Sequence, residues 1–118
     1  MTRHDDTVAL RHMLDYAQTA RRLAAGRTRQ DLDAEEMLHL ALTRAVEVIG
    51  EAATRVSDAT RKSQPDIPWS QITGTRNRLI HAYDRVNFDI LWRIVDDELP
   101  PLIAQLEAIL PETSKPGS

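Results

Sequence analysis

The apolar positions of this chain fall into a helical rhythm almost from its start. From Asp5 onward, Leu10, Met13, Leu14, Ala17, Ala20, Leu23 and Ala24 recur at three- and four-residue spacing, one face of an amphipathic helix. Gly26 follows, the residue type that most readily takes a left-handed conformation just past a helix C-terminus. After a polar connection over residues 27–32, Asp33 and Glu36 stand three apart in the manner of a capping box, and Glu35 adds another acid to the first turn. The helix they open carries Met37, Leu38, Leu40, Ala41, Leu42, Ala45, Val46, Val48, Ile49, Ala52, Ala53 and Val56. These exceed one stripe, so the pattern predicts a central helix with neighbours on two sides. Run to Lys62, it would be about 45 Å long.

Pro65 and Pro68 forbid its continuation, and Pro68 suits the first position of a third helix holding Trp69, Ile72, Arg76, Leu79 and Ile80. Gly74 is a weak interior point, and the helix is expected to end over residues 82–84. Asn87 is the expected N-cap of a fourth helix with Phe88, Leu91, Trp92, Val95 and Leu99. Pro100-Pro101 should kink or restart it before Leu102, Ile103, Leu106, Ile109 and Leu110 resume the apolar face. The pattern thus predicts an all-α fold, a four-helix bundle of the up-and-down type, as one domain over residues 1–110 with a disordered tail at 111–118. Trp69 and Trp92 read as core. Together with the unequal helix lengths they suggest leftover apolar surface, for which a two-fold homodimer is the common solution.

Composition narrows this further. Hydrophobic residues are 42% of the chain but aromatics only 4%, so Ala, Leu, Ile and Val build the core, which favours helix-on-helix packing. No run of about 18 apolar residues occurs and the N-terminus is polar, so neither a membrane span nor a signal core is expected. The chain has no Cys, which leaves no disulfide framework and no thiolate metal site, and a cytoplasmic location is expected. A net charge of −3 argues against coating nucleic acid through bulk charge; any RNA contact must be local, and no DNA partner is expected. The charges are sorted: residues 31–60 are rich in acids, whereas Arg76, Arg78, Arg85 and Arg93 give residues 73–93 a basic excess.

That excess coincides with Arg76-Asn77-Arg78-Leu79-Ile80-His81-Ala82-Tyr83. Arg-x-x-x-x-His alone arises by chance about 0.4 times in a chain this rich in Arg, so its context must carry the weight. The chemistry suits RNA, whose 2′-OH is a built-in nucleophile beside each phosphate. Cleavage needs a base for that hydroxyl, an acid for the leaving 5′-oxygen and positive charge on the developing phosphorane. A His serves as base or acid near neutral pH, and an Arg offers permanent planar donors to phosphate oxygens. This route requires neither metal nor cofactor. His4, His12 and His39 lie apart from His81 with no metal-ligand spacing, and His12 and His39 read as ordinary helix-surface residues. On a straight helix Arg76 and His81 would be about 140° apart, whereas Asn77 and His81 would share a face. Either the helix loosens, or the arginine reaches round, or two protomers assemble the site across a dimer axis. Tyr83 would point away from His81 unless the helix ends between them.

Val48-Ile49-Gly50-Glu51-Ala52, Ile67-Pro68-Trp69, the Arg76–Tyr83 segment, Leu91-Trp92-Arg93-Ile94-Val95 and Leu99-Pro100, in that order and spacing, resemble the HepT-like branch of the HEPN superfamily over roughly residues 5–110. The resemblance implies a small helical bundle that dimerises, with two such motifs forming a composite ribonuclease site. It further implies the toxin half of a toxin–antitoxin pair whose partner, an MntA-like minimal nucleotidyltransferase, transfers AMP from ATP onto the motif tyrosine. Position by position, Arg76 and His81 would be catalytic, Asn77 supporting and Tyr83 the AMPylation acceptor, while Glu51 is expected to be a buried or interfacial ion partner. Other readings of the chain are a non-catalytic HEPN module binding nucleotide or a partner, a plain dimerisation domain, and the neutralising half of the pair.

Overall fold

The computed structural model describes residues 2–80 and 85–111, with side chains described from Asp6 onward. Its regular elements are α1 (Thr2–Ala24), α2 (Asp31–Ala34), α3 (Glu36–Thr54), α4 (Asp58–Ser63), α5 (Trp69–Thr73), α6 (Thr75–Leu79), α7 (Phe88–Arg93) and α8 (Leu99–Ile109). A π-helical turn, Ile94–Glu98, joins α7 to α8. The all-α expectation holds: among the described residues the sole β pairing is an isolated antiparallel bridge between Ile80 and Val86. No described helix is long and apolar enough to cross a membrane.

α1 forms as the apolar spacing predicts, burying Leu10, Met13, Leu14, Ala17, Ala20 and Ala24, and it closes at Gly26, whose φ of 75° is left-handed. Leu23 departs from the expectation and is exposed. α1 runs antiparallel to both long neighbours. The carboxylate of Asp6, near its start, meets Ser57 beyond the end of α3, and Arg11 and Gln18 reach Pro111 and Glu107 at the far end of α8. α3 is central as expected, packed by α1 on one side and by α5, α6 and α7 on others.

The single long helix expected over residues 33–62 is three pieces. Glu35 is extended, with φ −122° and ψ 100°, which separates α2 from α3. The Asp33–Glu36 capping box is therefore not made. Asp33 lies inside α2, and Asp31 instead accepts a hydrogen bond from the Thr28 amide at 2.7 Å. The second break has an electrostatic cause. Ser57 is extended and caps α4, while the buried Asp6 carboxylate accepts from the Ser57 amide at 2.9 Å and from the Ser57 and Thr60 hydroxyls at 2.6 Å each. Continuing α3 would break these bonds and strand a buried carboxylate, a cost that outweighs one more turn of helix.

The third helix is also shorter than expected. Trp69 opens α5 behind Pro68, Gly74 interrupts the winding, and α6 stops at Leu79 rather than at residues 82–84. Asn87 is the N-cap of α7 as expected, its Oδ1 accepting from the Ile90 amide at 3.1 Å. At Pro100-Pro101, where a kink or restart is expected, the two prolines occupy the first turn of α8 directly after the π turn. Neither can donate to the preceding carbonyls. Arg21 of α1 supplies a donor instead, 3.2 Å from the Val95 carbonyl. Trp69 is core; Trp92 is half-buried against it. The large apolar side chains left exposed are Val8, Tyr16 and Leu23 on α1 and Met37 and Leu40 on α3. Residues 112–118 of the expected tail lie outside the described residues.

Candidate functional site

α6 is five residues long, Thr75-Arg76-Asn77-Arg78-Leu79, and three constraints fix its position. Thr75 and Leu79 are buried, an i, i+4 pair that faces the core. Gly50 on α3 admits the α5–α6 junction: a Cβ there would stand 3.1 Å from the Ile72 carbonyl oxygen and 3.5 Å from Thr75 Cβ. Arg78 turns the other way and forms a bidentate pair with Glu98 of the π turn, at 2.9 and 2.7 Å. This pair is about one quarter exposed on both sides. Hydrogen bonds from Arg78 hold the Glu98 carboxyl below its ordinary value despite partial burial, and Arg78 is raised in return.

Arg76 and Asn77 point into solvent. Arg76 borders an open hollow of about 190 Å³ with Glu47, Gly50, Glu51, Thr54 and Thr73. No hydrogen bond or ion pair holds the Arg76 guanidinium among the described residues, whereas Glu51 pairs loosely with Arg44 at 4.0 Å. Glu51 is thus exposed in the protomer, not buried as one branch of the sequence reading had it. An arginine free of a carboxylate partner on a core-anchored turn keeps its planar donors available for a phosphate.

After Leu79 the chain leaves the helical path. Ile80 is extended, with φ −79° and ψ 119°, and it bridges to Val86, while the Asn87 amide donates to the Leu79 carbonyl at 2.8 Å. The connection carrying His81 and Tyr83 is therefore pinned at both ends against α6. Those two residues lie outside the described set, so the structure places Arg76 and Asn77 and the stems of the connection only. Of the arrangements weighed from spacing, a regular helix through residues 76–83 is excluded, since the helix ends at Leu79. Among the described residues no three His, Asp or Glu side chains come together as a metal site.

Two features escaped the sequence reading. Arg78 carried no signal, because Glu98 lies 20 positions away with no spacing rule to connect them. His39 was read as a surface residue but is half-buried, its ring 4.6 Å from Phe88 in a second hollow beside Arg85 and Val86. His12 is exposed as expected.

The sequence model of the family described as "Ribonuclease HepT-like" matches residues 13–109, a span that includes the whole Arg76–Tyr83 segment. "Putative RNase TTE0752" of Caldanaerobacter subterraneus subsp. tengcongensis is 33% identical over 101 residues, covering 86% of this chain and 90% of that one. "Putative RNase MJ1380" of Methanocaldococcus jannaschii is 34% identical over 85 residues, 68% of this chain and 78% of the relative. "Probable ribonuclease HepT" of Thermococcus cleftensis is 32% identical over 80 residues, 68% and 73% of the respective chains. No solved structure matches the chain.

Proposed function

The chain belongs to the HepT-like ribonuclease family, and from that premise we propose that it is a metal-independent endoribonuclease, the toxin of a toxin–antitoxin pair. In this reading Arg76 and His81 are its catalytic residues, with Asn77 in support. The 2′-oxygen of RNA attacks the adjacent phosphorus, a 2′-O–P bond forms, and the P–O5′ bond breaks. The products are a 2′,3′-cyclic phosphate and a 5′-hydroxyl. His81 moves the protons, as base for the 2′-hydroxyl or acid for the 5′-oxygen, and Arg76 neutralises charge on the phosphorane. Two protomers facing each other would supply both imidazoles.

The observation that carries this reading is the end of α6 at Leu79. A continued helix would turn position 81 about 140° from Arg76. The chain instead departs at Ile80 and returns at Val86, which supports a site shared by the helix and the connection after it. The Arg76 guanidinium, unpaired among the described residues, supports it too. Inactivation follows from the same electrostatics. An MntA-like nucleotidyltransferase would transfer AMP from ATP to the Tyr83 hydroxyl, forming a P–O bond to the α-phosphorus with pyrophosphate leaving. The attached phosphate would then occupy the anion position beside Arg76.

Induced expression of wild type, Arg76→Ala and His81→Ala, followed by RNA gels, tests the catalytic assignment. Growth arrest and cleavage should be confined to wild type; cleavage persisting in both variants rejects it. Incubation with the partner and ATP should add AMP mass to the wild type and none to Tyr83→Phe.

A further inference from the structure

A hollow of about 520 Å³ opens between the start of α3, the α1–α2 connection and the return strand of the motif connection. Its walls include Arg29, His39, Leu40, Thr43, Arg85 and Phe88. Three planar groups form one side: the His39 and Phe88 rings have centroids 4.6 Å apart at 39°, and the Arg29 guanidinium lies 5.8 Å from the Phe88 centroid. Arg29, over the Phe88 ring, is held by Asp89 at 2.6 Å and Asp33 at 3.0 Å, so its charge is matched and it adds a planar group to the stack. Arg85, also lining the hollow, has no such partner among the described residues and is exposed. Thr43 adds a polar atom at the wall, its Oγ1 buried and without a hydrogen-bond partner among the described residues. Leu40 is 57% exposed, an apolar side chain that lines the hollow. A volume in the range of small-ligand sites, lined by aromatic planes with one open cation, is the chemistry of a stacked base and its phosphate.

We propose that this hollow is a base-binding subsite for single-stranded RNA, in which one nucleobase lies against the His39–Phe88–Arg29 row while Arg85 meets the adjoining phosphate. Val86, in the wall, is bridged to Ile80, the residue before His81. The subsite thus adjoins the reactive connection and would select the nucleotide that flanks the scissile bond. The identity of the ligand rests on the ribonuclease reading; the binding itself is testable without cleavage.

The full-length chain is titrated against a short 2′-O-methyl oligoribonucleotide, which lacks the nucleophile, with anisotropy as the readout. Replacing both rings, His39→Leu with Phe88→Leu, should weaken binding about tenfold, and Phe88→Tyr should bind as wild type. The ring variants should lose nothing on an oligonucleotide made abasic at the stacked position, because the lost contact is already missing. Arg85→Gln should weaken every sequence alike and lower the salt slope by about 0.7. His39→Leu alone, on a half-exposed ring, keeps the test interpretable if the double variant melts early. Ring variants that bind as tightly as wild type overturn the proposal, as does a penalty undiminished by the abasic site, or binding of AMP with none of the oligonucleotide. Cleavage of unmodified RNA is followed in parallel. A chain that binds through the rings but never cuts keeps the subsite and loses the ribonuclease reading; one that cuts with no dependence on the rings does the reverse.

Discussion

On α6 a separation of two positions, about 200° of rotation, divides an arginine open to solvent from one clamped between elements. Among the described residues Arg76 has no carboxylate partner, whereas Arg78 grips Glu98 with both ends of its guanidinium. Arg78→Met should therefore lower stability by about 1 kcal/mol or more, since it leaves a partly buried carboxylate without its donors. Arg78→Lys should recover only part of this, a lysine having no planar fork. Denaturant titration of the three proteins measures the difference. Acid should reveal the same pair. Hydrogen bonding to Arg78 lowers the Glu98 carboxyl. For Asp6, burial works upward but the hydrogen bonds from Ser57 and Thr60 prevail, and it too is lowered. A group whose folded value is depressed stabilises fully above its unfolded value, near pH 4, and that stabilisation is lost as pH falls through the folded value. Melting temperatures should thus be flat from pH 7 to about pH 5 and fall below about pH 4. The fall should be shallower in Glu98→Gln.

At the scale of elements, Gly50 decides how closely the Arg76 turn approaches α3. Gly50→Ala places a methyl group 3.1 Å from a backbone carbonyl that cannot rotate away. We expect a cost of about 1–2 kcal/mol from overpacking. Cleavage should fall further than stability explains, since the displaced junction carries Arg76; kcat measured well below the melting temperature separates the two. What the sequence disclosed follows from the range of each interaction. Amphipathic spacing revealed α1, α3 and α8, and Asn87 and Gly26 marked real termini because caps act within one turn. The breaks at Glu35 and Ser57 and the early end of α6 were hidden. Two of them depend on partners outside their own helix: Asp6 for Ser57 and, six positions on, Val86 for Ile80. The Ser57–Thr60 cap carries a local sign, masked by the long apolar run that precedes it. The site divides the same way. The Arg76 motif was legible as a string, but Arg78's clamp and the His39–Phe88 pair required the fold.

For the molecule as a whole, the outstanding matter is how apolar surface is covered. Val8, Tyr16, Leu23, Met37 and Leu40 remain exposed on α1 and α3, and a homodimer that also assembles the site would account for both burial and catalysis. If the site spans two protomers and uses both imidazoles, adding excess His81→Ala to a fixed amount of wild type should lower cleavage, as mixed dimers with a single imidazole form. Sedimentation of each variant fixes the assembly state, and cleavage that stays unchanged while mixed dimers form in proportion would show that each protomer works alone.

The Ile80–Val86 bridge bears on how an off-switch at Tyr83 would behave. Three residues beyond a pinned stem, a backbone position can stray no more than about 11 Å from it. An adenylyl group attached there would be a leashed inhibitor, present at an effective concentration in the millimolar range however dilute the protein. Free AMP at cellular levels should then inhibit feebly, and RNA should rescue the modified enzyme only at concentrations high enough to outcompete a group held in the millimolar range.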